Sequence, residues 1–329
     1  MPIIKSKYSK RPWYFLNGHF ETIVPSLFYD AGAIPYERER LELPDGDFLD
    51  LDWIREGNKR LIVLSHGLEG SSDRHYIKRP AAFFSKKGWD ILAWNNRSCS
   101  GEMNRLPRFY HHGATEDIAA VIERGFVEGY EEVVLMGYSM GGGMQQKYLG
   151  ERMPDERIVG AISFSVPCNV QNSADMLKIG ANKIYENRFI SKLKGKVLEK
   201  SEKMEMPVDL DVVRKVKNFK ELDEAFTLKV HPEYKDANDF YTRITSDQFL
   251  SNIKIPLLIV NAVNDPMLGE PCYPVDLAEK SKNIYLEMPK KGGHVGFTIP
   301  GSRWSYMELA SERFIDEVIF SPQTLAKHH

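Results

Sequence analysis

The sequence predicts an α/β fold, a mostly parallel sheet of eight strands flanked by helices. Three observations carry the prediction. Short apolar runs alternate with helical patterns along most of the 329 residues, as they do where βαβ units build a parallel sheet. Hydrophobic residues make up 42% and charged residues 27% of the chain, the composition of an ordinary globular protein. No internal repeat or low-complexity tract interrupts the alternation.

The elements follow in order. Arg40–Leu43 and Phe48–Ile54 flank Pro44-Asp45-Gly46, a good turn signal, so these runs are expected to form an antiparallel hairpin. Further strands are expected at Arg60–Ser65 (RLIVLS), Asp90–Asn95 (DILAWN), Glu132–Met136 (EVVLM), Val159–Ser165 (VGAISFS), Pro256–Val263 (PLLIVNAV) and Ile284–Met288 (IYLEM). Helical patterns lie near Tyr76–Lys87, Thr115–Glu128, Gly142–Glu151, Pro274–Lys282 and Arg303–Phe320. One region breaks the rhythm. Residues 168–250 hold no clear buried strand and read as helical and charged, as in Met176–Met204. The chain is therefore divided into a core, residues 1–167 and 251–329, and a helical cap, residues 168–250, inserted after the sixth strand over the C-terminal edge of the sheet. The charge run in the cap reads as a solvated helix face.

Composition narrows the function classes. Lys plus Arg is 44 and Asp plus Glu is 46, a formal net charge of −2, which gives no net attraction for nucleic acid or an anionic membrane. Cys99, Cys168 and Cys272 are far apart and match neither zinc nor redox spacing, so reduced thiols in a cytoplasmic protein are expected. Met1–Lys10 lacks the apolar core of a secretory signal. The longest uncharged stretch, Ile158–Ala174, carries Ser, Asn, Gln and Pro, so no transmembrane segment is expected. His328 and His329 end the chain and are given no role.

The chemistry is concentrated at Gly137-Tyr138-Ser139-Met140-Gly141, which follows an apolar strand and opens a helical stretch. That is G-x-S-x-G in the context a nucleophile elbow needs: strand, tight turn, helix. A serine hydroxyl is a weak nucleophile until a neighbouring base takes its proton. In folds that raise a serine on such an elbow, an acid and then a histidine follow along the chain. His231, His294, His328 and His329 come after Ser139. His231 falls in the cap and the last two at the terminus, which leaves His294, in a glycine-rich loop after the last strand. Asp265 follows the penultimate strand and is the expected partner of the second imidazole nitrogen, with Glu270 and Asp276 as fallback acids.

A tetrahedral intermediate needs donors for its oxyanion. The expected donors are the backbone N–H of Met140 and that of Leu68, in the His66-Gly67-Leu68-Glu69-Gly70 loop after RLIVLS. His66 reads as shaping that loop rather than moving protons. The adjacent pair His111-His112, with no HExxH, gives little support for metal catalysis. No GxGxxG follows the first parallel strand and no Lys-Ser or Lys-Thr follows the Gly141–Gly143 run, so neither a nicotinamide nor a phosphate-loop site is expected. No cofactor is expected.

Taken together, these residues resemble the YheT-like branch of the α/β-hydrolase superfamily, related to α/β-hydrolase domain-containing esterases. The resemblance runs over nearly the whole chain. It begins at Asn17-Gly18-His19-Phe20-Glu21-Thr22-Ile23 and continues through Asp45-Gly46-Asp47, Asp52-Trp53 and His66–Ser71. Asn96–Glu102, Arg105-Leu106-Pro107, Tyr110-His111, Gly137–Gly142, Asn264-Asp265-Pro266 and Gly293–Phe297 complete it. Departures are Gly18 where proline is usual, Glu21 for glutamine and Ser98 for glycine; none touches Ser139, Asp265 or His294. The resemblance implies an α/β-hydrolase fold and a Ser139–Asp265–His294 triad. It also implies hydrolysis of carboxylic esters, with short- to medium-chain acyl esters expected, and with acyl transfer to an alcohol as the alternative. A non-catalytic binding protein is a weaker rival, because such proteins usually lose a triad member. The expected partner is a small-molecule or lipid-like ester; nothing in the sequence sets the oligomeric state.

Overall fold

The computed structural model describes residues 3–321, so His328 and His329 lie outside it. Its strands are β1 (Ile3–Ile4), β2 (Glu37–Glu42), β3 (Phe48–Ile54), β4 (Arg60–Ser65), β5 (Asp90–Asn95), β6 (Glu132–Tyr138), β7 (Ile158–Phe164), β8 (Leu257–Val260) and β9 (Ile284–Glu287). They form one sheet in the order β1-β9-β8-β7-β6-β4-β5-β3-β2, parallel except at β2–β3 and β3–β5. The eight strands expected from sequence are all present, with ends shifted by up to three residues. The ninth, β1, is the addition. Its two residues pair with β9 at Ile3↔Leu286 and are too few to show any periodicity.

The hairpin is held by charge as well as by its turn. In the β2–β3 register Arg38 stands opposite Asp52 and Arg40 opposite Asp50, and each guanidinium makes a two-pronged bond to its buried carboxylate at 2.7–3.0 Å. In the centre of the sheet side chains alternate faces. Leu61 and Val63 of β4 pack on one layer, Ile62 and Leu64 on the other. The first layer includes α3 (Thr115–Val127) and α4 (Met140–Glu151); the second includes α2 (His75–Phe84) and α12 (Tyr306–Phe314).

Two elements differ from the sequence expectation. Helix α1 (Gly18–Phe28), capped by Asn17 through the N–H groups of His19 and Phe20, was not anticipated. Between β7 and β8 the chain forms helices and no strand: α5 (Val170–Leu177), α6 (Lys183–Ser201), α7 (Leu210–Lys215), α8 (Phe219–Leu222), α9 (Leu228–Val230) and α10 (Ala237–Ile244), with α11 (Val275–Lys280) after β8. The continuous pattern Met176–Met204 is broken around Gly180, which sits at φ +52°. Nor is its charge run simply a solvated face. The Lys200 side chain is buried and donates to Asn104 Oδ1 at 2.5 Å, while Lys196 Nζ pairs with Glu69 at 2.8 Å. Among the described residues no helix is long and apolar enough to cross a membrane.

Candidate active site

The end of β6 turns sharply into α4, and Ser139 sits at the turn with φ +52° and ψ −122°. A non-glycine residue at positive φ is strained, and the surrounding packing sustains it. Its N–H donates to Phe164 O of β7 at 2.8 Å, and both flanking glycines are required by close approach. A Cβ on Gly137 would stand 2.6 Å from Gly142 Cα, and one on Gly141 would stand 2.3 Å from Ser65 O.

The three residues singled out from sequence meet there. His294 Nε2 lies 2.9 Å from Ser139 Oγ, and His294 Nδ1 lies 2.8 Å from Asp265 Oδ2. The Asp265 carboxylate is fully buried, and its other oxygen accepts the Met267 N–H at 2.9 Å. The fallback acids Glu270 and Asp276 are exposed and make no bond to His294. The His294 loop is tightly wound, with Gly292, Gly293, Val295 and Phe297 all at positive φ. Three braces hold it. Thr22 Oγ1 accepts the His294 N–H at 2.9 Å, Ser165 Oγ accepts the Val295 N–H at 2.9 Å, and Asn264 Oδ1 accepts the Gly293 N–H at 3.1 Å.

Helix α1 supplies one of these braces and one more. Buried Glu21 accepts from Gly292 N, from Asn264 Nδ2 at 3.0 Å and from Arg11 at 2.5 Å. Glu21, noted from sequence only as a departure from a motif, and Thr22, noted only as part of it, are thus supporting residues of the site. Asn17, a capping residue just before them, was the available signal.

The loop after β4 lies against the serine, since a Cβ on Gly67 would stand 3.0 Å from Ser139 Cβ. His66 is buried, donates from Nδ1 to Gly67 O at 2.7 Å and accepts the Asn96 N–H at Nε2. Burial pushes its pKa down to about 4, so it is a neutral strut of the loop. Glu69, at φ +53°, is held by the Tyr110 hydroxyl at 2.8 Å and by Lys196. His19 stacks on Tyr185 and bonds its hydroxyl at 3.0 Å. The bonds of these loops leave the Leu68 and Met140 N–H groups without an acceptor among the described residues. The same residues contain no group of three or more His, Cys, Asp or Glu arranged to hold a metal ion.

Two cavities meet at Ser139 and His294. One, of about 130 Å³, runs under α5, α6, α8 and α10 and is lined by apolar side chains such as Val170, Ala174, Leu177, Leu222 and Phe226. The other, of about 120 Å³, lies between the Gly67–Gly70 loop, α1 and α6 and is lined in part by Arg74, Arg188 and Lys192.

A mostly parallel sheet with a serine raised on its β6–α4 elbow, and a histidine and carboxylate reaching it from later loops, is the architecture of the α/β-hydrolases. Comparisons place the chain more closely. A family model described as serine aminopeptidase, S33, matches residues 56–271. YheT of Escherichia coli (strain K12) is 32% identical over 292 residues, covering 86% of this chain and 85% of that protein. Phospholipase ABHD3 of Bos taurus is 26% identical, covering 97% and 80%. The chain belongs to the YheT-like branch of the α/β-hydrolase superfamily. The esterase Pf2001 of Pyrococcus furiosus superposes with a TM-score of 0.56 at 16% identity, covering 88% of this chain and 97% of that one. Est1E of Butyrivibrio proteoclasticus superposes with a TM-score of 0.53, covering 87% and 99%. At these identities the two structures speak for the fold alone.

Proposed function

We propose that the protein is a serine esterase that cleaves carboxylic esters through an acyl-enzyme. The observation that carries this reading is the unbroken chain Ser139 Oγ–His294 Nε2 and Nδ1–Asp265 Oδ2, at 2.9 and 2.8 Å. His294 takes the Ser139 proton as the serine oxygen attacks the ester carbonyl. The Leu68 and Met140 N–H groups receive the developing oxyanion, and the buried Asp265 carboxylate stabilises the imidazolium. The imidazolium then protonates the departing alkoxide. A water molecule, deprotonated by the same histidine, attacks the acyl-Ser139 ester, and the collapse returns Ser139 and releases the acid. Every proton is accounted for on His294, so no cofactor is needed.

Residues 168–250 act as the cap, and the apolar cavity beneath α5, α6, α8 and α10 takes the acyl chain. Its apolar lining, with Val170, Ala174, Leu177 and Phe226, suits an acyl chain, and a short- to medium-chain group is the one proposed. The name of the relative phospholipase ABHD3 supports ester cleavage as the reaction class.

The test is hydrolysis of p-nitrophenyl esters from acetate to palmitate by wild type beside Ser139→Ala. Wild type is expected to be active, and the variant to lose about 10⁴- to 10⁶-fold in kcat. Equal inactivity of both proteins on every ester, or full activity in the variant, overturns the reading.

A further inference from the structure

The two cavities that meet at Ser139 differ in charge. No Lys or Arg lines the apolar one. The other is lined by Arg74, Arg188 and Lys192, and its one acidic residue, Glu69, is already engaged by Lys196 at 2.8 Å and the Tyr110 hydroxyl at 2.8 Å. Among the described residues none of the three cations has a carboxylate partner.

We infer that the substrate is an ester whose alcohol portion carries an anionic group, a phosphate or a carboxylate, bound by Arg74, Arg188 and Lys192. This rests on the serine-esterase reading above.

Three features support it. The cations come from two elements aimed at one space. Arg188 and Lys192 are four residues apart on α6 and so share a face, while Arg74 is tied to the oxyanion loop by its bond to Glu69 O at 3.0 Å. The positive charges also crowd one another. Lys192 is held below the usual lysine pKa, first by burial and then by Arg74, with Glu69 opposing the effect and Arg188 and Lys196 adding to it. A bound anion would relieve that repulsion and form charge-assisted hydrogen bonds. Finally, Arg188 is exposed, so this cavity opens to water. In a two-step reaction the alcohol must leave while the acyl group stays on Ser139. The wet, cationic side therefore suits the alcohol, and the apolar side suits the chain.

The test compares 1-octanoylglycerol 3-phosphate, O-octanoylglycerate and neutral 1-octanoylglycerol, each below its micellar concentration, with p-nitrophenyl octanoate as the activity control. We expect kcat/KM for an anionic ester to exceed that for the neutral one by at least about tenfold at low salt, the scale of one or two charge-assisted bonds. The phosphate and carboxylate arms show which anion fits better. The preference should shrink in 0.5 M NaCl and fall towards one in the double variant Arg188→Gln/Lys192→Gln. Because the ratio is taken within one preparation, a folding defect lowers both rates and leaves it unchanged. A wild-type ratio of one or below, with p-nitrophenyl octanoate still cleaved, overturns the inference. So does a preference that survives in the double variant. Failure to cleave any of the four esters overturns the esterase reading as well.

Discussion

Asp265 grips His294 from a position that water does not reach: Oδ2 lies 2.8 Å from Nδ1, and the carboxylate is fully buried while the imidazole is 11% exposed. The acceptor therefore fixes which imidazole nitrogen carries the proton, leaving Nε2 free to accept from Ser139. Asp265→Asn offers an amide N–H to Nδ1 and so favours the tautomer with the proton on Nε2, which cannot act as base. The expected result is a fall in kcat on p-nitrophenyl octanoate of about 10³- to 10⁴-fold with little change in melting temperature. A fall of less than tenfold would show that another group orients the histidine.

Glu21 ties helix α1 to the His294 loop through Gly292 N and Asn264 Nδ2, with Arg11 on its other oxygen. Glu21→Ala strands these donors and should cost about 2–3 kcal/mol, together with a lower kcat as the loop loosens. Glu21→Gln keeps an acceptor for the loop and should lose less than about 1 kcal/mol. Thermal melts and initial rates on both variants check the order. Equal effects of the two substitutions would mean that the loop does not depend on this acceptor.

The acyl cavity can be shortened from its wall. Ala174 on α5 is buried and lines it, so Ala174→Phe fills space that a chain would occupy. The ratio of p-nitrophenyl octanoate to acetate turnover should drop by about tenfold or more, the scale of two or more buried methylenes. An unchanged ratio would place the acyl chain elsewhere.

Acid should destabilise the fold before it protonates most carboxylates. Burial pushes His66 and His112 down to about 4 and His75 to about 3, from an ordinary 6.5, and lowers His111 and His231 in the same direction. A depressed pKa contributes stability that is present above pH 6.5 and is lost as pH falls, because the unfolded chain takes up protons that the fold refuses. Each such group adds at most about 1.4 kcal/mol per pH unit to the slope. Asp223 works the other way. Burial raises it to about 6, so its contribution is present below 3.8 and lost as pH rises through 6. It offsets about one proton between pH 6 and 4. Urea midpoints should therefore fall steadily from pH 7 to pH 5, and His75→Phe should flatten that fall. Midpoints that stay level or rise towards pH 5 would contradict the assignment.

Much of this was legible in the sequence because strands and elbow are local signals. RLIVLS is β4 to the residue, and Ser139, Asp265 and His294 fall where chain order and strand ends direct them. Helix α1 was not legible. Its buried residues are Gly18, Glu21, Thr22 and Pro25, whereas Phe20, Leu27 and Phe28 are exposed, so no apolar stripe marks it. The charged helix α6 was misread for a related reason. Pattern shows that Arg188, Lys192, Lys196 and Lys200 share a face, but only packing against Glu69 and Asn104 shows that Lys196 and Lys200 are turned inward, while Arg188 stays exposed at the cavity mouth. Ser98 stands at φ +62°, which explains the glycine usual there, and its hydroxyl bond to Asn104 at 2.5 Å helps to hold the strained backbone.

The most direct measurement of whether Ser139 is the nucleophile is covalent labelling. The protein is treated with a fluorophosphonate, residual hydrolysis of p-nitrophenyl octanoate is followed, and the modified peptide is identified by mass spectrometry in wild type and in Ser139→Ala. One adduct per chain, on the Ser139 peptide, accumulating in step with loss of activity and absent from the variant, is the predicted result. An adduct on another residue, or full labelling with activity retained, would contradict it.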